Sequence, residues 1–81
     1  MNDYIALASG HIYSNKTNRV LKPSSNGAGY QHVVLRIDGK NVDTYVHRFI
    51  AERLVPNPLG HKEVNHKDGD KTNNDVSNLE W

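Results

Sequence analysis

A small α+β domain is the fold class this sequence predicts, and three observations predict it. Alternating apolar residues flank an Asp-Gly pair in mid-chain, an apolar stripe at helical spacing follows directly, and the last third is polar and rich in Asn. With 81 residues the chain holds one hydrophobic core at most. Hydrophobic residues are 36% of it and its mean hydropathy is -0.75, so that core is thin. Cysteine is absent, which removes disulfides and Cys-based zinc sites as sources of stability. No run approaches the roughly 18 apolar residues of a membrane span, and the N-terminus lacks a signal pattern. The expectation is a soluble, cytoplasmic chain with no membrane partner.

The elements follow in order. Tyr4 to Leu7 and His11 to Tyr13 read as short strands turned by Ser9-Gly10. A third short strand is expected at Val20 to Lys22. Pro23 to Gly29 reads as a loop, because Gly and Asn tolerate positive φ and Pro fixes its own. Tyr30 to Ile37 alternates with Val33, Leu35 and Ile37 on one face, Asp38-Gly39 turns the chain, and Lys40 to Val46 returns as the second arm of a hairpin. Val42, Thr44 and Val46 continue the inward face, which assigns Arg36, Lys40 and Tyr45 to the outward one.

Val46, Phe49, Ile50 and Leu54 then form the stripe of a helix over residues 46–55, with Arg48, Glu52 and Arg53 on its wet side. Pro56-Asn57-Pro58 stops it, since proline lacks a backbone donor and biases the preceding residue away from the helical region. Leu59 to Trp81 has loop-like apolar spacing and forms an Asn-rich ribbon; five of the ten Asn lie between Asn57 and Asn78. The expected organisation is one folded unit, with an N-terminal β module and loop over residues 1–29 and a core over residues 30–81.

Charge is uneven along the chain. Seven Lys and Arg face four acids through Arg53, and three face five thereafter, although the total is only +1. This suits either a phosphate-contacting surface beside a metal or catalytic segment or an ordinary solvated surface. A DNA mimic is the form of binding module this balance favours least, since a mimic should be strongly acidic.

The informative segment runs from Val64 to Trp81. An EF-hand calcium loop starting at Asp68 fails, because its fifth, sixth and twelfth positions are Thr72, Asn73 and Leu79. A Ser-His-Asp hydrolase has no Gly-x-Ser-x-Gly elbow to stand on. Asn65-His66, Asp68-Gly69, the Asn run and Asn78-Leu79-Glu80-Trp81 instead resemble the HNH endonucleases, in particular their phage and intron homing branch. Upstream, Gly29-Tyr30, Gly39-Lys40, Val46-His47-Arg48 and Pro56-Asn57-Pro58 stand in the order that branch uses.

That resemblance implies a ββα-metal site, with Mg²⁺ or Mn²⁺ held weakly against the scissile phosphate of double-stranded DNA. His66 matches the family's general base, a role suited to a side chain type that titrates near neutrality. Asn65 matches the first metal-ligand position, where many relatives carry Asp; an amide oxygen still suits a hard cation but brings no charge. Asn78 matches the middle Asn, which braces the loop because an amide donates and accepts at once. Lys67 and Lys71 flank that loop, where phosphate contact and plain solubility compete. Arg36, Lys40 and Arg48 are the stronger DNA-contact candidates, since a basic ribbon and a helix end both fit a groove or backbone.

In the family a short helix after Leu79-Glu80-Trp81 supplies the second metal ligand, and the sequence stops before it. Truncation of an active nuclease, a ligand from a second subunit, and a catalytically inactive module that binds DNA or inhibits a host protein all remain open at this level. The resemblance sets the protein in a bacterial host cell, encoded by a phage or mobile element. Other residues take plainer readings: His47 as a hydrogen-bonded structural residue, His11, His32 and His61 on the surface, Asp68-Gly69 as a hairpin turn, Asp70 and Asp75 as solvated, and Trp81 as core or lid.

Overall fold

Residues 3–81 are described in a computed structural model of the protein. Three short antiparallel strands come first, β1 (Tyr4–Ala6), β2 (Ile12–Ser14) and β3 (Arg19–Val20), in the order β1-β2-β3. Gly10 adopts φ +90 in the turn between the first two, and its N–H donates to Leu7 O at 2.9 Å. A second antiparallel sheet, β4-β5-β6, is made of β4 (Ser24–Ser25), β5 (Gln31–Ile37) and β6 (Lys40–Tyr45). Asp38 and Gly39 join the long hairpin with φ of 51 and 75, the mirror-image turn whose twist matches that of the strands.

The helix α1 (Val46–Leu54) starts directly from β6, with Tyr45 in extended conformation as its cap and Val55 closing it. Last comes a two-stranded ladder, β7 (Asn65–His66) with β8 (Leu79–Glu80), preceded by a single 3-10 turn at Val76–Asn78. One core joins β1, β2, β5, α1 and β8. Ile12 of β2, Val33 and Leu35 of β5, Leu79 of β8 and the buried face of α1 (Val46, Phe49, Ile50, Ala51) pack together, edged by Tyr4, Val64, Val76 and Trp81. This is the small α+β architecture expected. Among the described residues no helix is long and apolar enough to cross a membrane.

Several boundaries and faces differ from expectation. The expected loop at residues 23–29 contains β4: Ser24 and Ser25 pair with His32 and Gln31, because Asn26 Oδ1 accepts from the Ala28 and Tyr30 N–H groups and folds the chain back. The third strand sits at Arg19–Val20, the second begins at Ile12, and the helix ends at Leu54. Ile37 and Val42 share the inward face with Leu35 yet are 43% and 40% exposed, since the hairpin tip runs beyond the cover of α1. Leu54 is also exposed, and Ala51 takes the buried place on the stripe. Lys40 pairs with Ile37 and so shares the Leu35 face, whereas Arg36 and Tyr45 lie on the opposite one. The three were expected together.

Candidate active site

Register places the key pair. Antiparallel pairing sets His66 opposite Leu79 and Asn65 opposite Glu80. Leu79 is core, so its partner His66 is drawn inward and is buried, while Asn65 and Glu80 stay exposed. Asn65 Nδ2 donates to Glu80 Oε1 at 2.9 Å, which leaves Asn65 Oδ1 available.

The excursion between the two strands has almost no apolar side chains to hold it, and its own polar groups do so. Lys67 N–H donates to Asn78 O and Gly69 N–H to His66 O. Asn78 Oδ1 accepts from Asp68 N–H at 3.1 Å, while its Nδ2 donates to Asp68 Oδ1 and Asn73 O, both at 2.9 Å. Asp68 also accepts from Asn73 Nδ2 and from Asp70 N–H. The Asn73 side chain, then the Asp70 backbone and Asn78, hold the Asp68 carboxyl below the usual carboxylate range. Asp70 and Asp75 are lowered as well, each by the hydroxyl and N–H of the residue two ahead, Thr72 and Ser77. Asp68 is thus a hub, and Asp70 and Asp75 are caps, beyond the turn and solvated roles expected.

His66 Nε2 lies 2.8 Å from Asn74 Oδ1, and Asn74 Nδ2 donates to Gln31 Oε1 at 3.2 Å. An amide oxygen only accepts, so a hydrogen bond at this contact requires the tautomer with the proton on Nε2 and the lone pair on Nδ1. Among the described residues the buried side-chain nitrogen or oxygen with no partner is His47 Nδ1.

His47 corrects an expectation, for it is not hydrogen-bonded. Its ring stacks on Tyr30 and tilts against His66, each at 5.1 Å between centroids, with Tyr45 at 5.5 Å. Helical position decides this: His47 follows Val46 at the first turn and falls on the buried side of α1. Burial, with the charges of His66 and Arg48 adding to it, pushes His47 down from 6.5 to about 4. Only the unfolded chain takes up this proton between those values, so stability present above pH 6.5 is lost as the pH falls toward 4. The expected loss is on the order of 2–3 kcal/mol. Thermal melts of the wild type and His47→Phe between pH 7.5 and 4.5 measure it as a difference that grows on acidification; parallel curves would reject a neutral His47.

The basic candidates separate. Lys71 Nζ donates to Ala28 O at 2.8 Å and lies 4.6 Å from the Tyr30 ring centroid, which ties it to the aromatic wall beside His66. Lys67 Nζ donates to Ser77 O at 3.2 Å. Arg48 donates to Lys62 O and faces the Trp81 ring, and Trp81 Nε1 donates to Val55 O, so Trp81 is a half-buried edge of the core. Arg36 bonds Asn41 at the distant end of the hairpin, four residues and roughly 13 Å along β5 from His32. His11 and His61 are exposed, and His32, half-buried, pairs with Asp43 at 2.7 Å.

A cleft of about 510 Å³ opens beside Asn65, lined by Tyr30, His61, Lys62, Glu63, Val64 and Trp81. Another hollow, of about 210 Å³ between Tyr4, Ile37 and Arg53, contains none of these groups. Among the described residues no three His, Cys, Asp or Glu side chains gather around one point. Sequence reasoning missed Tyr30, Gln31, Asn74 and Glu80. Their Asn and aromatic character was visible, but only strand register and loop closure bring them to His66.

Comparison with known proteins identifies the family. Residues 44–81 match the HNH endonuclease family HNH_3. The chain is 37% identical over 81 residues to the DNA endonuclease I-HmuI of Bacillus phage SP01, covering 96% of this chain and 45% of that protein. It is 35% identical over 79 residues to the H-N-H endonuclease F-TflII of Escherichia phage T5, covering 95% and 41%. Similarity extends to an uncharacterized HNH endonuclease, L245, of Acanthamoeba polyphaga mimivirus, at 35% over 80 residues, covering 99% and 24%. A solved structure describing DNA binding and cleavage by the HNH homing endonuclease I-HmuI superposes with a TM-score of 0.87 at 34% identity, over 99% of this chain and 46% of that one. The chain thus spans less than half the length of the relatives it matches. Its motif segment, its sequence and its fold all being of one kind, the chain belongs to the HNH endonuclease family, in the homing endonuclease branch.

Proposed function

We propose that this chain hydrolyses phosphodiester bonds of double-stranded DNA, with His66 as general base and a divalent cation, Mg²⁺ or Mn²⁺, at Asn65. One observation carries the reading: the buried His66 ring meets Asn74 Oδ1 through Nε2, which leaves Nδ1 as the nitrogen to take a proton. That is the state in which an imidazole takes a proton from water. Asn65 Oδ1 and the adjacent Glu80 carboxylate are oxygen donors, the kind a hard cation prefers, so the residues present fit such an ion. When bound, it supplies stabilisation of charge on the phosphoryl and leaving oxygens. Asn78 keeps the loop in shape around the base, and the cleft beside Asn65 has room for a nucleotide of the bound strand.

Residues 30–81 form the nuclease core in this reading and residues 1–29 the β module leading into it. Lys67, Lys71 and Arg48 contact phosphates near the site, and Arg36 and Lys40 contact DNA from the two faces of the hairpin tip. The expected setting is the cytoplasm of a bacterial host. Incubation with supercoiled plasmid and Mg²⁺ or Mn²⁺ tests the activity: conversion to relaxed circle that EDTA prevents is the expected result. Salt-sensitive DNA binding without relaxation would identify a binding module instead. Neither would point to a protein partner.

A further inference from the structure

We propose that Asn74 is the positioning residue of this site: it holds His66 in the Nε2–H tautomer and so reserves Nδ1 as the basic nitrogen. The proposal rests on the general-base reading of His66 and adds to it a residue outside the His66, Asn65 and Asn78 set. Asn74 is 4% exposed and His66 7%, so neither ring nitrogen nor amide can exchange this bond freely for water. The 2.8 Å bond between them is a buried side-chain pair eight residues apart.

The direction of that bond is set from outside the loop. Asn74 Nδ2 donates to Gln31 Oε1 on β5, which turns Asn74 Oδ1 toward His66. A flipped amide would present two donors to His66 and favour the Nδ1–H tautomer, leaving the base pointing at its own support. The backbone of Asn74 is braced as well. Gly10 packs flat against it, close enough that a methyl group there would overlap the Asn74 carbonyl and come within 2.6 Å of Asp75 N. Val76 N–H donates to Ala8 O at 2.9 Å beside the same contact. The turn between β1 and β2 thus presses on the segment whose side chain holds the base, and Gln31 fixes the amide from the other side. This makes the N-terminal module part of the positioning machinery rather than an appendage.

Imidazole nitrogen NMR on the intact chain, metal-free and at a pH where His66 is neutral, tests the proposal directly. Wild type is expected to show His66 with Nε2 protonated. Asn74→Ala is expected to give a tautomer mixture, and Asn74→Asp, which still accepts, to restore Nε2–H. Gln31→Ala keeps Asn74 in place but frees its amide; it should move the tautomer ratio in the same direction and covers the case in which Asn74→Ala does not fold. In the nicking assay Asn74→Ala is expected to lower kcat roughly 10- to 100-fold, part of what general-base catalysis contributes, with KM for plasmid unchanged. Wild-type His66 protonated at Nδ1, or a tautomer indifferent to both Asn74→Ala and Gln31→Ala, would overturn the proposal. If the tautomer follows Asn74 but the wild type does not nick, the positioning stands and the catalytic reading is what fails.

Discussion

His66→Ala is expected to reduce plasmid relaxation by at least roughly 100-fold, the lower end of what a positioned general base contributes. The argument starts at the core. Leu79 is buried, its ladder partner His66 is pulled in beside it, and the ring then meets Asn74 at Nε2 and packs against the tilted Tyr30 and His47 rings. Alanine removes the proton acceptor but leaves the strand register, since a two-residue ladder depends on backbone groups. DNA binding should therefore survive while relaxation is lost. The measurement is relaxed-circle formation alongside a gel-shift titration at fixed salt. Full activity in His66→Ala would sink the proposed role, and joint loss of binding and cleavage would show instead that His66 holds the fold.

Gly10→Ala is expected to cost about 3 kcal/mol or more, a large part of the stability of a chain this small. Two effects add. Gly10 has φ +90, where any Cβ is strained, and its Cβ would collide with the backbone of Asn74 and Asp75, which no side-chain rotation relieves. To escape, the turn must lift off the loop and give up the Val76 to Ala8 hydrogen bond. The melting temperature should fall roughly 12–24 °C, given about 4–8 °C per kcal/mol for a domain of this size. Gly69→Ala is the control. It also has positive φ, at 77, but nothing lies within 4 Å of its Cβ, so it pays for conformation alone, roughly 1 kcal/mol. Equal losses in the two variants would show that backbone strain, and not contact with the loop, explains Gly10.

Much of the fold was legible from local patterns. The Asp38-Gly39 hairpin and the stripe from Val46 to Ile50 follow from periodicity, turn chemistry and the Pro56 stop, which act over a few residues. The errors lie where a distant element decides. Ser24–Ser25 becomes a strand because β5 offers it an edge, and Ile37, Val42 and Leu54 are exposed because nothing in this small core reaches them. Lys40 lies on the inward face by both tests, its period-two alternation with Val42 and Thr44 and its pairing with Ile37, so expecting it outward went against the alternation itself.

The candidate site divides the same way. By itself the sequence determined the family and the α+β class and singled out Asn65, His66 and Asn78 as candidates, since these are carried by residue type and short spacing. Tertiary structure decided that Asn74 meets the His66 ring at Nε2, that His47 lies buried and unpaired against it, and that the turn at Gly10 presses on the loop. Those outcomes depend on hydrogen-bond direction and on contacts between residues 8 to 64 positions apart, which residue type and short spacing do not set.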